Sequence, residues 1–429
     1  MDETVLLIGG GGREHAIARA VADDAALYAC AGNRNPGIAR LAEEFEAIPG
    51  TDTEAVVEYA ESVGATLAVV GPEGPLEAGV VDALEDAGVY AFGPRAAEAR
   101  LETDKSFQRE FMEREGIPGC PDYATFEDSD AAAEYVADYD GDVAVKPVGL
   151  TGGKGVRVTG DQVTTAEAVE YVRDSEYDEW VIEERLVGEE FTIQALVANG
   201  DVRLTPAVQD HKRAYEGDEG PNTGGMGSYS DATECLPFMS PSDYEEARAI
   251  LEAVVEAMPA YRGVLYGQFM LTAGGVKVVE FNARFGDPEA MNTLPVMETS
   301  FVDVLVAARE GEGLPELDVA PQATVCKYAA PAGYPVDPDG GVKVEVDEES
   351  AGDALLYYAS VDERADGIYT TTSRAFAVVG VADTIPEAET IAEDALAVAG
   401  DEGLHVRHDV GTEDLVQRRI DHVADLREE

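Results

Sequence analysis

Short apolar runs ending in glycine punctuate the N-terminal part of the chain. Val5-Leu-Leu-Ile8 reads as a buried strand that opens into Gly9 to Gly12, with a helix from about Glu14. Leu67-Ala-Val-Val70 predicts a second strand, closed by Gly71-Pro72, and Val89 to Phe92 a third, closed by Gly93-Pro94. With amphipathic helices between them, such strands describe a parallel, doubly wound sheet. Ligands of these sheets sit beyond the carboxyl ends of the strands, where all three glycine loops fall.

The pattern changes at Asp104. A polar helix over about Asp104 to Glu115 leads through Pro118 and Pro121 to a strand Val143 to Lys146, a glycine-rich loop and a strand Val156 to Val158. Thr164 with Glu167 predicts a capping box for the next helix. Strands Trp180 to Glu184, Phe191 to Ala198 and Val202 to Val208 precede a long loop, Gln209 to Ser228. Ser242 with Glu245 predicts a second capping box, opening a helix to about Met258. A strand around Gln268 to Leu271, a turn at Gly274-Gly275 and a strand Val276 to Phe281 follow. After Pro321 a third unit begins, with strands near Thr324 to Ala329, Val342 to Val346 and Ala375 to Val381. Its helix starts after Thr384, with Pro386 at an early position and Glu387 completing the cap. The expected division is 1–103, 104–320 and 321–429, an α/β chain with no internal repeat and no low-complexity linker.

The 429 residues are 45% hydrophobic and 27% charged, enough for several packed cores, and apolar residues recur along the whole length, against disorder. No apolar run approaches the roughly 20 residues that span a bilayer. The acidic Met-Asp-Glu-Thr start is expected to be no signal peptide. Cys30, Cys120, Cys235 and Cys326 show no CxxC spacing, which points away from a zinc or disulfide framework and toward a reducing cytoplasm. Charge is the strongest compositional signal: 87 acidic against 30 basic residues, a net of -57. Such a surface repels nucleic acid and anionic membrane. The acids are dispersed, which leaves adaptation to a salt-rich cytosol or a cationic partner. Only seven of the basic residues are lysines, and that scarcity favours salt adaptation.

Four clusters stand out against this background. Gly9-Gly-Gly-Gly-Arg-Glu-His15 is not a dinucleotide fingerprint, because Glu14 stands where a third glycine would pack helix on strand. Its free backbone N–H groups at a helix N-terminus still suit a phosphate. Lys146-Pro-Val-Gly-Leu-Thr-Gly-Gly-Lys-Gly155 is not a Walker loop, since Gly155 stands where Ser or Thr would hold magnesium. Two lysines flanking glycines suit a flap over a polyphosphate, although a solvated hairpin turn has the same look. In Val279-Glu-Phe-Asn-Ala-Arg-Phe-Gly-Asp-Pro-Glu289, Glu280 and Asn282 share one strand face and make suitable magnesium ligands. Gln268 on the preceding strand can add an oxygen, and Arg284 can reach a transferred phosphoryl group. The loop from Gln209-Asp-His-Lys-Arg213 through Pro221-Asn-Thr-Gly-Gly-Met-Gly-Ser228 gathers cations and glycines. Three of the seven lysines (Lys146, Lys154, Lys212) fall in these clusters and a fourth, Lys105, opens the polar helix after Asp104; their retention points to function.

The strings IGGGGREHAIA, GNRNPGIA, VGPEGPLEAGVVDAL, KPVGLTGGKGV, VIEERLVGEE, QDHKRAYEGDEGPNTGGMGSYS and EFNARFGDPE together resemble the phosphoribosylamine–glycine ligase family of the ATP-grasp superfamily. The likeness covers nearly the whole chain. The loop Val148 to Gly152 departs from an alanine-containing version in many bacterial members, while Gly149, Gly152, Gly153, Lys154 and Gly155 remain. The resemblance implies an ATP-grasp fold with an N-terminal doubly wound domain, a C-terminal α+β domain, and a nucleotide-covering subdomain over about 117–190. It implies that Lys105 and Lys146 contact ATP phosphates beneath the 149–155 loop with Lys154. Glu183 and Leu186 are expected to meet adenine through their backbones, and Glu190 to hold the ribose. Glu280 and Asn282 match the family's ligands for Mg2+ or Mn2+, and Gln268 matches a position that varies. Gly10, Gly11, Gly12, Arg13, Asn33, Pro36, Gly37 and Glu73 are expected to help seat 5-phosphoribosylamine. Asp210, Lys212, Arg213, Asn222, Thr223, Gly224, Gly225, Arg284 and Asp287 are expected around the reacting groups, with catalysis falling to Lys146, Lys212, Arg284 and Asp287.

The implied reaction joins glycine to 5-phosphoribosylamine through glycyl phosphate, in purine synthesis, on a monomer or weak homodimer whose partners are small molecules. Another ATP-grasp ligase or a carboxylase is the nearest alternative. A nicotinamide-dependent oxidoreductase would rest on the N-terminal glycines alone, and a non-catalytic nucleotide-binding module conflicts with the lysines, carboxylate and arginine. The C-terminal unit has no clustered polar motif and is expected to close the cleft without supplying catalytic groups.

Overall fold

The computed structural model describes residues 3–150, 155–348, 351–400 and 403–428. The N-terminal strands form one parallel sheet in the order Glu44–Glu46, Ala26–Cys30, Thr4–Ile8, Leu67–Val70, Tyr90–Phe92. The order reverses at Thr4–Ile8 and Leu67–Val70, so the loops leaving these neighbours, residues 9–11 and 71–72, open together at the switch point of the sheet. All of Leu67–Val70 is buried, as a parallel strand covered on both faces requires.

A second sheet runs Gly275–Asn282, Gly263–Thr272, Gly188–Ala198, Val208–Asp210, Gly227–Ser230, Ala323–Pro331, Phe376–Ala382, Leu355–Tyr358. It crosses from the central part of the chain into the C-terminal part without a break, since Ser228 pairs with Cys326 and Tyr229 with Val325. Ala323–Pro331 is buried at every residue, and helix Ile385–Ala399 packs against it and its neighbour Phe376–Ala382. A Cβ at Gly380 would stand 1.9 Å from the Ala388 carbonyl oxygen, so glycine alone admits the helix this closely. Thr384 caps that helix by accepting the Glu387 N–H, and Thr164 with Glu167 forms the expected capping box of helix Thr165–Asp174.

A third, four-stranded sheet joins Tyr123–Phe126, Trp180–Glu184, Val143–Pro147 and Arg157–Val158. Together with helices Ser129–Asp138 and Thr165–Asp174 it has its own core of Val136, Val145, Val172, Trp180 and Ile182. Among the described residues no helix is long and apolar enough to cross a membrane.

Three expectations are corrected. Helix Pro241–Ala257 is capped by Ser240 with Asp243, two residues before the expected Ser242 and Glu245. Both frames carry a serine three residues before an acid. Pro241 decides between them, because proline is favoured at the first helical position, where its missing N–H is no loss. The strand expected over Val202 to Val208 is two strands, Asp201–Leu204 and Val208–Asp210, separated around Pro206. The long loop Gln209 to Ser228 contains the hairpin Arg213–Tyr215 with Glu219–Asn222, and ends in strand Gly227–Ser230.

Candidate active site

A cleft of about 550 Å3 lies where the switch point, the hairpin of Gly263–Thr272 with Gly275–Asn282, and the C-terminal strands meet. The hairpin register sets Gln268 opposite Glu280 and Tyr266 opposite Asn282. Just after Gln268 the pairing slips, leaving Val279 without a partner. Its carbonyl, released from the ladder, accepts from Arg109 at 2.7 Å and from Lys146 at 3.1 Å. Lys146 also reaches Glu183 at 2.7 Å, and Arg109 grips both oxygens of that carboxylate at 2.7 and 3.0 Å. Burial opposes the charge of Glu183, but Arg109 and Lys146 outweigh it and hold the pKa below the ordinary value.

Glu280 stands among ammonium groups. Burial opposes its charge too, and Lys212, Lys146 and Lys105 together bring its pKa below the ordinary value. Gln268 donates its amide N–H to Glu190 at 2.7 Å, while its buried Oε1 has no hydrogen-bond partner among the described residues. Asn282 lies 3.4 Å from Glu280. An ionised carboxylate opposite an orphaned amide oxygen, with a second amide alongside, is a set of hard oxygen donors that fits Mg2+ or Mn2+. Lys105 donates to the Gly149 carbonyl, and burial lowers its pKa.

Between the two ends Lys212 pairs with Asp210 at 2.9 Å. The second oxygen of Asp210, Oδ1, is buried without a hydrogen-bond partner among the described residues, and burial raises the pKa of this group. Gly225 stands behind it at φ +107, where a Cβ would come within 2.6 Å of that oxygen.

At the switch point Gly11 donates its N–H to Glu14 at 2.6 Å, and Arg13 Nε donates to the other carboxylate oxygen at 2.6 Å. A Cβ at Gly71 would lie 2.1 Å from Glu14 Oε1. The glycine run is therefore folded around a buried glutamate. The expectation of N–H groups free for phosphate is corrected at Gly11, and at Gly9, whose N–H donates to the Cys30 carbonyl. Arg284 is held by Glu102 at 2.9 Å and Glu73 at 3.7 Å. Asp287 accepts the Tyr328 hydroxyl at 2.6 Å and lies 3.3 Å from Arg374. Burial opposes its charge, and Arg374 and Arg13 outweigh burial to lower its pKa.

Models of the phosphoribosylglycinamide synthetase N domain, ATP-grasp (A) domain and C domain match residues 3–102, 103–290 and 324–413 in succession. A phosphoribosylamine–glycine ligase of Methanosarcina barkeri is 52% identical over 438 residues, covering 99% of either chain. The chain belongs to the phosphoribosylamine–glycine ligase family. A member from Thermococcus gammatolerans is 49% identical over 97% of this chain and 96% of its own. The solved phosphoribosylamine–glycine ligase of Thermotoga maritima superposes with a TM-score of 0.80 at 27% identity, covering 95% of this chain and 99% of that one. A biotin carboxylase of Campylobacter jejuni shares the fold, with a TM-score of 0.76 at 14% identity over 99% of both chains.

Of the residues the ligase family resemblance assigns, Gly10, Gly11, Arg13, Asn33 and Glu73 line the cleft at the switch point. Lys105, Glu280 and Asn282 line it at the hairpin, with Asp210, Lys212, Thr223, Gly224, Arg284 and Asp287 between. Lys146, Glu183, Glu190 and Gln268 stand behind that lining, joined to the hairpin by the bonds above. Leu186 lies in the short link 185–187 between strands Trp180–Glu184 and Gly188–Ala198. The Gly155 carbonyl accepts the Tyr171 hydroxyl at 2.8 Å, and Gly152, Gly153 and Lys154 lie outside the described residues.

Other assigned residues do not line the cleft. A Cβ at Gly12 would meet the Tyr328 hydroxyl at 2.3 Å, and one at Gly37 the His15 ring at 2.0 Å, so both glycines admit close packing. Pro36 begins helix Pro36–Leu41. Arg213 bonds the Gly220 carbonyl and Asp161, and Asn222 bonds Gln162, which ties their hairpin to the segment beyond Arg157–Val158.

Sequence reasoning misses Glu102, Gln108, Tyr266 and Glu289, and with them Tyr334, Ser360, Ser373 and Arg374 from the C-terminal part. Those four residues make the C-terminal part a wall of the cleft. A signal does exist: Thr370-Thr-Thr-Ser-Arg374 is a polar, acid-free run in an acidic chain. Tyr266 likewise sits two residues before Gln268 on the same strand.

Proposed function

We propose that this chain ligates glycine to 5-phosphoribosylamine with ATP, giving glycinamide ribonucleotide, ADP and phosphate in purine biosynthesis. The observation that carries the reading is one cleft with two chemistries. Three lysines act on the Glu280 carboxylate at one end, while Arg13, Arg284 and Asp287 stand beside the glycine loop at the other.

Glycine's carboxylate is a poor electrophile, so phosphoryl transfer from ATP first makes glycyl phosphate. Lys105, Lys146 and Lys212 are fixed around Glu280 before substrate arrives, and their charge is suited to the transferring phosphoryl group. Glu280, Asn282 and Gln268 would hold a divalent cation, which when bound neutralises phosphate charge. The amine of the ribosylamine then attacks the acyl carbon. A C–N bond forms, the acyl C–O bond breaks, and phosphate leaves with the electron pair. The nitrogen must release a proton, and Asp210 has the properties of an acceptor: an unpartnered oxygen and a pKa raised by burial. Arg284, braced by Glu73 and Glu102, presents a fixed cation beside Asp287 for the acyl phosphate.

The substrates are small molecules, taken up by a monomer or weak homodimer. The four cysteines are free thiols, in keeping with a reducing cytoplasm. ADP release that requires both glycine and freshly made 5-phosphoribosylamine tests the reading. Release driven by bicarbonate without glycine would replace it with an ATP-grasp carboxylase.

A further inference from the structure

The C-terminal part brings one guanidinium into the cleft, and its hydrogen bonds all go to segments flanking the reacting groups. Arg374 Nη1 donates to three carbonyl oxygens: Gly224 at 2.7 Å, Gly225 at 2.9 Å and Asp287 at 3.2 Å. Its Nη2 lies 3.3 Å from Asp287 Oδ1. Tyr328, on the shared strand Ala323–Pro331, donates its hydroxyl to that same oxygen at 2.6 Å. The Tyr328 ring lies 4.4 Å from the guanidinium.

One oxygen of Asp287 is thus committed to Tyr328 and Arg374. The other faces the glycine loop, since a Cβ placed on Gly11 would stand 3.7 Å from Oδ2. Gly224 and Gly225 form the turn that returns to the Asp210–Lys212 pair. Thr223 donates to the Lys212 carbonyl at 2.8 Å, and Gly225 lies against Asp210. Three carbonyl oxygens and a carboxylate gathered at one point repel one another unless a cation sits between them. A planar fork can meet the carbonyls and the carboxylate at once while stacking on a ring, which an ammonium cannot do.

We infer that Arg374, together with Tyr328, is a positioning residue for the acceptor side of the cleft. It holds Asp287 with Oδ2 turned toward the ribosylamine, and it sets the turn that carries Gly224 and Gly225. This rests on the ligase reading above. Among the described residues none of the hydrogen bonds or ion pairs of Arg374 goes to Lys105, Lys146 or Glu280, and it meets the Lys212 segment only through the Gly224–Gly225 turn, so its loss falls mainly on the acceptor amine and largely spares ATP.

The test compares Arg374→Met, Arg374→Lys and Tyr328→Phe with the wild type, all as the full chain. Wild-type activity is read first: without glycine-dependent ADP release the ligase reading itself fails, independently of Arg374. Given that activity, Arg374→Met is expected to raise KM for 5-phosphoribosylamine about tenfold to a hundredfold, the scale of one lost charged hydrogen bond. KM for ATP is expected to stay within about twofold. Arg374→Lys keeps the charge without the fork and is expected to recover only part of the loss. Tyr328→Phe shifts the same KM by less, and the double variant shifts it by less than the product of the two, because both act on one carboxylate. Equal rises in both KM values, a fall in kcat alone, or full recovery with lysine overturns the inference. Should Arg374→Met not fold, Tyr328→Phe decides, and an unchanged acceptor KM there overturns it.

Discussion

Lys146 and Glu183 are joined at 2.7 Å, and Glu183 has a second cation, Arg109, on its other side. The carboxylate therefore keeps a partner when the lysine is removed. Lys146→Met is expected to lower stability by only about 1–3 kcal/mol. Glycine-dependent ADP formation is expected to fall by about a hundredfold or more, because a fixed cation leaves the polyphosphate end. Urea melts beside single-turnover assays check both parts, and an unchanged rate would remove Lys146 from phosphoryl transfer.

Glu280→Gln leaves a neutral amide opposite Gln268 and takes the only formal charge from the divalent-cation ligands. Turnover is expected to vanish at saturating Mg2+ with an unchanged circular dichroism spectrum. Titration with Mn2+ followed by electron paramagnetic resonance is expected to show weakened binding. Near-normal activity or unaltered Mn2+ affinity would refute the assignment.

Stability is expected to fall on mild acidification. His15 is buried against Tyr357 and Tyr358, and its Nδ1 accepts the Tyr358 N–H at 2.9 Å. Burial, helped by Arg19, lowers its pKa to about 3 from 6.5. His211 is likewise lowered to about 3 by burial and Arg407. Below about pH 6.5 the unfolded chain takes up protons that the folded chain refuses until about pH 3. The contribution of both rings is therefore complete above that window and lost as pH falls through it. Urea midpoints at pH 7.5 and 5.0 measure the effect, and a His15 ring signal that titrates between those values in the folded state would contradict it.

Salt is expected to hold the molecule together. A net of -57 means strong self-repulsion in the compact state. The Debye length is about 10 Å at 0.1 M salt and about 3 Å at 1 M, so molar KCl quenches that repulsion. Melting temperature is expected to climb between 0.1 and 3 M KCl, with glycine-dependent ADP release following it. A flat profile would favour a cationic partner as the reason for the charge.

The parts of the site that are legible in the sequence are local ones. Glu280 and Asn282 lie two apart on a strand, so the period of the strand alone puts them on one face. Leu67–Val70 and Trp180–Glu184 occupy the expected bounds because each is a compact apolar run with a clear end. What escapes reading is made by distance. Arg374 meets Asp287 across 87 residues, and Arg109 meets Glu183 across 74, with no periodicity to announce either pairing. The Val279 bulge depends on register, which the strand pattern alone leaves open. Scarcity of lysine is an imperfect guide as well. Lys327, outside every motif, is fully buried between Glu389 and Glu393, where its work is to tie helix Ile385–Ala399 to the sheet.

Gly227–Ser230 lies between Val208–Asp210 and Ala323–Pro331 and is buried at every residue. A chain cut at residue 321 would turn that strand into an open edge, with neither a charge nor a proline to blunt it. Fragments made separately would each carry such an edge and would pair with one another or with copies of themselves. For recombination between relatives, the N-terminal segment has a parallel sheet of its own, and what it shares with the rest is a packed core, Ile17 and Val21 among Met291, Tyr328 and Tyr357, rather than a strand ladder. The central and C-terminal segments share one ladder of hydrogen bonds, and must be inherited together.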